Sequence, residues 1–196
     1  MIKKKKQDVR KAILTLLKNQ KEEDRLRKSS AIRKALFQDP GFVHSKTVLF
    51  YASLAEEVET FEMIRQAMKE GKRVALPCIS RQHKEIIPRL ISNLEEDLEY
   101  GPYNIKQPRR TAHQQQLGLD KIHVVIVPAV AFDKKNNRLG RGAGYYDRLL
   151  QKLPSGIPQI GLAFDFQILE TLPLEDHDFP VTRVITNELS QELSVP

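Results

Sequence analysis

The residues best suited to chemistry form one continuous stretch of the chain, residues 133–148, which reads DKKNNRLGRGAGYYDR. In its second half, glycines alternate with other residues at Gly140, Gly142 and Gly144. Because glycine has no side chain, the backbone N–H groups of such a loop can approach an anion closely. The spacing is neither a Walker A sequence nor the GxGxxG of dinucleotide-binding folds. The stretch therefore favours a phosphate site of another kind, and the alternative is a solvated, glycine-rich surface loop.

Charged residues around these glycines also favour an anion. Arg138 and Arg141 place positive charge on the loop. A helix predicted to begin near Tyr145 adds the partial positive charge of its N-terminus. Asp147 falls in the first turn of that helix, where a carboxylate is favoured and can also bind a metal ion.

The hydrophobic pattern predicts the elements that position this loop. Apolar residues at helical spacing predict four helices, over residues 3–19, 22–37, 60–71 and 145–153. Apolar and β-branched runs predict strands over residues 47–53, 73–79, 124–127, 159–164 and 181–186. This alternation predicts one α/β domain, residues 1–196, with a mostly parallel central sheet flanked by helices.

The middle of the chain has a weaker pattern. Ile86 and Ile87 predict a strand, residues 90–98 a short helix, and residues 100–109 a proline-containing loop. Elsewhere the pattern assigns three aromatic side chains to the core, those of Phe50, Phe132 and Phe164.

Composition narrows the class of protein. A single cysteine, Cys78, excludes an intramolecular disulfide and a thiolate zinc cluster, and fits a reducing compartment. The basic N-terminus does not read as a secretory signal, and no apolar run approaches the roughly 20 residues of a membrane helix. We therefore expect a cytoplasmic protein that binds no membrane, and we favour a monomer. The net charge of +7 falls to +3 without Lys3 to Lys6, so charge alone does not indicate nucleic acid.

The long stretch resembles the signature of the 5-formyltetrahydrofolate cyclo-ligase family (methenyltetrahydrofolate synthetases), approximately FD-x-x-G-x-RLG-x-G-x-GYYD. The chain matches from Phe132-Asp133 through Tyr146-Asp147, with Asn136 where a glycine is usual. Asparagine tolerates the left-handed conformation better than other non-glycine residues, so the turn is expected to survive.

Further short blocks extend the resemblance over nearly the whole chain. They are Lys6 and Arg10, Tyr51-Ala-Ser53, Glu57-Val-Glu-Thr60, Leu76-Pro77, Gln107-Pro108, Leu172-Pro173 and His177-Asp178. Gln107 stands where family members often have glutamate, which puts a charged role for that position in doubt.

The resemblance implies a NagB/RpiA/CoA transferase-like α/β fold and a specific reaction. Such an enzyme would use Mg²⁺ and ATP to cyclise 5-formyltetrahydrofolate to 5,10-methenyltetrahydrofolate, releasing ADP and phosphate. The γ-phosphoryl group would pass to the formyl oxygen, and N10 would then attack the activated carbon. Positioning and charge neutralisation, rather than a protein nucleophile, would carry such a transfer.

The resemblance also implies site residues. Arg141 and Tyr145 would be catalytic, and Asp147 and Asp178 would bind Mg²⁺. ATP would contact Lys6, Arg10, Arg138, Leu139, Gly140, Arg141, Gly142, Ala143, Gly144, Tyr145 and Tyr146. The folate would contact Ala52, Glu57, Arg141, Gly142, Ala143, Gly144 and Tyr145. Lys6 and Arg10 stand at i and i+4, hence on one helical face.

Two other classes of function fit parts of the sequence. An RNA-binding α/β module could use the lysine-rich helix and the arginine-rich loop to follow phosphates, but it would lack an RRM-type aromatic signature or a KH-type loop. A phosphate-binding sugar isomerase on a related scaffold fits the sequence less closely than the family signature does. We therefore expect 5-formyltetrahydrofolate and ATP, and no nucleic acid, as partners.

Overall fold

Two helices open the chain in the computed structural model, which describes residues 1–110 and 115–188. The predicted domain also includes residues 111–114 and 189–196, which lie outside the described residues. Helix α1 (Ile2–Lys18) buries Ile13 and Leu17, and α2 (Glu22–Leu36) buries Ile32 and Leu36. The acids of the first turn of α2 and the bases of its last turn complement its dipole. Helix α1 has no acid in its first turn, so its N-terminus depends on contacts with the rest of the fold.

Within the described ranges, the central sheet has six strands in the order β11-β9-β6-β1-β2-β3. All neighbours pair in parallel except β2 and β3, which are antiparallel. In chain order, the strands are β1 (Thr47–Leu49), β2 (Arg73–Ser80), β3 (Glu85–Ile91), β4 (Leu98–Tyr100), β5 (Lys106–Pro108), β6 (Val124–Val127), β7 (Ala131–Asp133), β8 (Arg138–Leu139), β9 (Gln159–Leu162), β10 (Ile168–Leu169) and β11 (Arg183–Ile185). The remaining α-helices are α3 (Pro40–Val43), α4 (Phe61–Lys69) and α5 (Tyr145–Lys152).

Alternation along β6 shows how the sheet is covered on both faces. Val124 and Ile126 pack in one buried cluster with residues of α1, α2 and α4. Val125 and Val127 pack in a second cluster with Leu149 of α5. Because successive side chains point to opposite faces, an uninterrupted apolar strand requires helices on both sides. Fully burying each aliphatic side chain stabilises the fold by about 1.5–3 kcal/mol.

The predicted elements are largely confirmed, with shorter strands than the pattern suggested. The predicted strand at residues 47–53 ends at Leu49, and the strand predicted at 159–164 ends at Leu162. Phe50, Phe132 and Phe164 are fully buried, as expected. No helix in the part of the chain that the structure describes is long and apolar enough to cross a membrane.

The helix predicted for residues 90–98 is wrong. Leu90 and Ile91 complete β3, where they pair with Ala75 and Val74 of β2. The carboxylate of Asp97 then accepts hydrogen bonds from the backbone of Ser92, at 2.7 Å, and from that of the residue after it, which fixes a turn. The loop predicted for residues 100–109 contains β5, which pairs with β4.

The loop predicted between β6 and α5 contains a second small sheet, in the order β10-β7-β8. Asn136 turns the chain between β7 and β8 with φ of 62°, as the sequence predicted. Asp133, almost fully buried, accepts hydrogen bonds from the backbone N–H groups of Lys135, Asn137 and Leu172. The sheet and this carboxylate therefore support the start of the glycine loop.

Candidate active site

A cavity of about 370 Å³ lies at the carboxyl ends of β1 and β6. From β1 the chain proceeds to β2 and β3 on one side, and from β6 it proceeds to β9 and β11 on the other. In open α/β sheets, the crevice at such a switch point is the usual ligand site. Tyr51, Ala52 and Glu57, which follow β1, line one wall, and Pro128 and Ala129, which follow β6, line the floor.

The glycine loop, residues 140–144, forms the opposite wall. Gly142 and Gly144 have φ of 104° and 69°, a region that side-chain-bearing residues rarely adopt. Gly144 is also the N-cap of α5, so that the helix N-terminus opens beside the loop. The loop therefore leads directly into the N-terminus of α5, as the sequence predicted.

Arginine side chains surround these glycines. A Cβ added to Gly140 would lie 2.8 Å from Nη1 of Arg138, and one added to Gly144 would lie 2.8 Å from Nη1 of Arg148. Arg10 of α1 lies beside Gly142 and donates from Nε to the carbonyl oxygen of Gly140, at 2.8 Å. The absent side chains thus make room for guanidinium groups as well as for a ligand.

Two arginines beside the glycine loop, Arg10 and Arg148, donate hydrogen bonds to backbone carbonyls. Arg148 donates from Nε to the carbonyl of Lys84 and from Nη2 to that of Ala143. Arg10 donates to a carbonyl too, and among the described residues neither arginine forms an ion pair with a carboxylate. A phosphate would therefore meet cations whose charge these contacts leave uncompensated.

Arg138 is buried, with 4% of its surface exposed, and pairs with Asp147. Its Nη2 donates to Asp147 Oδ1 at 2.5 Å, and its guanidinium lies 5.9 Å from the centre of the Tyr146 ring. The hydroxyl of Tyr146 and Nε of Arg138 are buried without a hydrogen-bond partner in the described part of the chain. Burial raises the pKa of Tyr146 well above its ordinary value, so its hydroxyl is a donor at neutral pH. Both groups could bind polar atoms of a ligand.

Arg141 spans the cavity to the opposite wall. Its Nη2 donates to Oε1 of Glu56 at 2.9 Å and to Oε1 of Glu57 at 2.8 Å. Burial alone would raise the pKa of Glu56, but the hydrogen bond from Arg141 holds it below its ordinary value. Glu56 is therefore ionised at neutral pH.

Tyr145 lies at the mouth of the cavity, where its ring meets that of Tyr103 edge-on at 6.3 Å. Arg148 lies over the Tyr145 ring and Arg81 over the Tyr103 ring, at 5.4 Å and 5.3 Å. A flat, apolar group bound in the cavity would lie against these aromatic rings, while its anionic end would remain among cations.

Helix α1 is attached to the site at Lys6 as well as at Arg10. Lys6 is 3% exposed, and its Nζ lies 2.8 Å from Glu175 Oε2 and 2.5 Å from Asp178 Oδ2. Burial alone would lower the pKa of Lys6, but hydrogen bonds to these two carboxylates raise it. Lys3, Lys4 and Lys5 are exposed.

The two carboxylates predicted to bind metal lie near each other, and each accepts hydrogen bonds from protein groups. Asp147 Oδ1 accepts from Arg138 and, at 3.4 Å, from the backbone N–H of Phe179, the residue after Asp178. Asp178 Oδ2 accepts from Lys6 and from the backbone of Glu175. In the described residues, no three His, Cys, Asp or Glu side chains cluster as a metal site. One carboxylate on the cavity wall, with Oδ2 uncommitted, nevertheless fits Mg²⁺ held mainly by phosphates and water.

The structure brings most of the predicted site residues to this one cavity. The predicted site residues that line the cavity are Ala52, Glu57, Arg138, Gly140, Arg141, Gly142, Ala143, Gly144, Tyr145, Tyr146 and Asp147. Four predicted residues do not line the cavity. Arg10 contacts the loop at the carbonyl of Gly140, Lys6 and Asp178 form an ion pair with each other, and Leu139 is buried in the core. Among the residues without a predicted role, Glu56 pairs with Arg141, and Arg148 donates to the carbonyl of Ala143. Arg148 could have been found from its position four residues after Gly144, on the same helical face.

A cavity at the switch point of a parallel sheet, with a basic glycine loop on one wall and apolar and carboxylate groups on the other, is the ligand site typical of α/β enzymes. Comparison with known proteins identifies the family. The model of the 5-formyltetrahydrofolate cyclo-ligase family matches residues 2–187, and the chain belongs to this family.

Relatives and solved structures agree with this assignment. The chain is 34% identical over 148 residues to the 5-formyltetrahydrofolate cyclo-ligase of Escherichia coli (strain K12), covering 75% of this chain and 81% of that protein. It is 31% identical over 173 residues to the Mus musculus cyclo-ligase, covering 83% and 84%.

The NMR structure of Aquifex aeolicus 5,10-methenyltetrahydrofolate synthetase superposes with a TM-score of 0.81 at 32% identity, covering 94% of this chain and 90% of that one. A Mycoplasma pneumoniae synthetase, 24% identical, shares the fold with a TM-score of 0.74. The predicted fold class, a single α/β domain, and the predicted enzyme family are thus confirmed.

Proposed function

We propose that this protein uses Mg-ATP to cyclise 5-formyltetrahydrofolate to 5,10-methenyltetrahydrofolate, with release of ADP and phosphate. The observation that carries the proposal is the single cavity in which residues predicted for ATP and residues predicted for the folate face each other. Two reactants held in one cavity can react without the entropic cost of a further encounter. Membership of the cyclo-ligase family supports the same reaction.

The ATP phosphates would lie along the glycine loop. Backbone N–H groups between Gly140 and Gly144 and the N-terminus of α5 would meet the phosphate oxygens. Arg10 and Arg148, already bonded to carbonyls of this region, would add positive charge from either side. Leu139 would support the loop through the core, rather than by side-chain contact with ATP.

The folate would occupy the wall formed by residues that follow β1. Glu57 is fixed in position because its Oε2 accepts from the backbone of Leu54 at 3.1 Å. A carboxylate held this way suits the N–H donors of a reduced pterin ring. Ala52 leaves space beside it, and Tyr145 would bound the rest of the molecule at the mouth.

The chemistry follows from the poor electrophilicity of an N-formyl group. The formyl oxygen attacks the γ-phosphorus of ATP, the bond to the β-γ bridging oxygen breaks, and ADP leaves. N10 then attacks the formyl carbon, forming a C–N bond. The C–O bond breaks, its electron pair leaves with phosphate, and N10 loses its proton to solvent. Arg141, which faces both walls, would neutralise the charge that develops on the transferred group.

Mg²⁺ would neutralise phosphate charge and hold the phosphates in line for transfer. Asp147 would be its protein ligand through Oδ2, while Oδ1 stays with Arg138. Asp178 would contribute through its position next to Phe179, whose N–H binds Asp147. The cytoplasm would be the compartment, as the sequence predicted.

An isotope experiment tests the phosphorylated intermediate. If the formyl oxygen is the atom that accepts the phosphoryl group, ¹⁸O placed in the formyl group must appear in the released phosphate. Mass spectrometry of phosphate after one turnover would detect it. Unlabelled phosphate formed together with methenyltetrahydrofolate would rule out this route while leaving ATP-dependent cyclisation possible.

A further inference from the structure

One carboxylate beside the cavity has no task in the proposed reaction, although it pairs with a residue of the cavity wall, Arg141. Glu56 and Glu57 both accept from Nη2 of Arg141, and Glu57 also accepts from its Nε at 3.1 Å. Glu57 is assigned to the folate and Arg141 to the phosphoryl group. Glu56, with 21% of its side chain exposed, lies beside both without a ligand of its own.

If Glu57 binds the folate, as the proposed function requires, the folate and Arg141 compete for the same carboxylate group. When the pterin ring engages Glu57, it competes with Arg141 for Oε1, the atom on which two of the three hydrogen bonds from Arg141 converge. Arg141 stands between Gly140 and Gly142, so its backbone resists displacement weakly. Without another partner, a guanidinium with 40% of its side chain exposed would move into solvent.

We propose that Glu56 is a positioning residue that holds Arg141 across the cavity while Glu57 binds the folate. The bond from Nη2 to Glu56 does not have to break when Glu57 changes partners. Nη1 of Arg141 has no hydrogen-bond partner within the described ranges, and it stays available for a phosphoryl oxygen. Glu56 thereby makes binding of the two substrates compatible.

The negative charge of Glu56 should also weaken the binding of ATP. A second negative charge near the phosphates repels ATP, so that Glu56 should favour the bound arrangement of Arg141 at the expense of nucleotide affinity. Substitution of a residue that only stabilised the fold, or only attracted ATP, would not lower kcat while leaving KM for ATP unchanged or lower. The kinetic signature of the proposal is therefore a lower kcat without a higher KM for ATP.

The test is steady-state kinetics of Glu56→Gln, which removes the charge and keeps the shape. We expect kcat to fall about five-fold or more, equivalent to about 1 kcal/mol of transition-state stabilisation, while KM for ATP stays equal or falls. Glu56→Asp should recover part of kcat. The matched control is Asp165→Asn, which breaks a half-buried ion pair with Lys28 away from the cavity and should leave both parameters unchanged.

A binding experiment checks that Glu56 acts through Arg141. Titration with 5-formyltetrahydrofolate in the absence of ATP should show weaker binding in Glu56→Gln than in the wild type. In an Arg141→Ala background, the same substitution should change affinity less than two-fold. Equal effects in both backgrounds, an unchanged kcat, or a rise in KM for ATP that matches the fall in kcat would overturn the inference. Inactive wild-type protein would instead overturn the proposed function.

Discussion

Replacing Asp147 with asparagine tests whether this residue maintains the structure of the site, separately from its proposed role in binding metal. Its Oδ1 lies 2.5 Å from Nη2 of Arg138 and accepts from the backbone N–H of Phe179. Asp147→Asn keeps the size of the side chain but leaves the Arg138 guanidinium, whose side chain is 3% exposed, without its anionic partner. Nη1 of Arg138 retains only a long bond of 3.4 Å to the carbonyl of Pro128, and its Nε has no partner among the described residues.

These contacts set the magnitude of the effect. Breaking a fully buried ion pair costs about 3–5 kcal/mol because an unpaired charge remains inside the protein. Asp147 is 17% exposed on the cavity wall, where solvent screens part of this cost, and we expect a loss of about 2–3 kcal/mol. A carboxylate that only complemented the dipole of α5 would contribute about 0.3–1 kcal/mol.

Urea denaturation and thermal melting measure the difference. For a chain of this length, the expected loss lowers Tm by roughly 4–12 °C. Asp165→Asn, the control, should cost at most about 1 kcal/mol, because its ion pair with Lys28 is 3.2 Å long and more exposed. A loss for Asp147→Asn no larger than that of the control would refute the reasoning and leave Asp147 a purely functional residue.

The remaining predictions concern acid stability, ATP and metal. Burial alone would raise the pKa of Asp133, but hydrogen bonds from Asn137, Lys135 and Leu172 hold it below its ordinary value of about 3.9. The stabilisation by this carboxylate is therefore present above that pH and lost as pH falls through the lowered pKa. The free energies of unfolding of Asp133→Asn and wild type should differ by about 1–3 kcal/mol at pH 7, and denaturation curves should show this difference shrinking as the solution is acidified below about pH 3.9. Arg10→Ala should weaken ATP binding about ten-fold or more in calorimetry and folate binding less. Lys6→Ala should weaken ATP binding and also lower Tm, because Glu175 and Asp178 lose their cation. Unchanged ATP affinity in both variants would show that α1 has only a structural role. In activity titrations, Asp147→Asn should raise the Mg²⁺ concentration for half-maximal rate and Asp178→Asn should do so more weakly; an unchanged requirement in the first variant would remove that carboxylate from the metal shell.

Features that depend on neighbouring residues in the chain could be predicted from the sequence. The glycine loop and the helix that follows it could be predicted, because both depend only on local backbone geometry. Asn136 likewise has the positive φ expected of it. The apolar run of β6 indicated a buried strand, because it is too short for a helix and all four of its side chains are β-branched.

Features that depend on distant pairing could not be predicted. Leu90, Ile91, Leu94 and Leu98 have a spacing that a helix would also produce, and pairing with β2 decides in favour of a strand. Likewise, Glu56 and Arg141 are 85 residues apart, and their contact appears only after the sheet assembles. Sequence placed Asp147 in a helix first turn but could not reveal that it pairs with Arg138.

The central claim is most directly tested by following methenyltetrahydrofolate by absorbance and ADP by a coupled assay in the same reaction, with purified protein, 5-formyltetrahydrofolate, Mg²⁺ and ATP. The proposed mechanism predicts one ADP for each methenyltetrahydrofolate formed, and neither product when the folate, the nucleotide or the divalent metal is left out. Formation of methenyltetrahydrofolate without nucleotide, or ATP hydrolysis at a rate that the folate does not change, would contradict it.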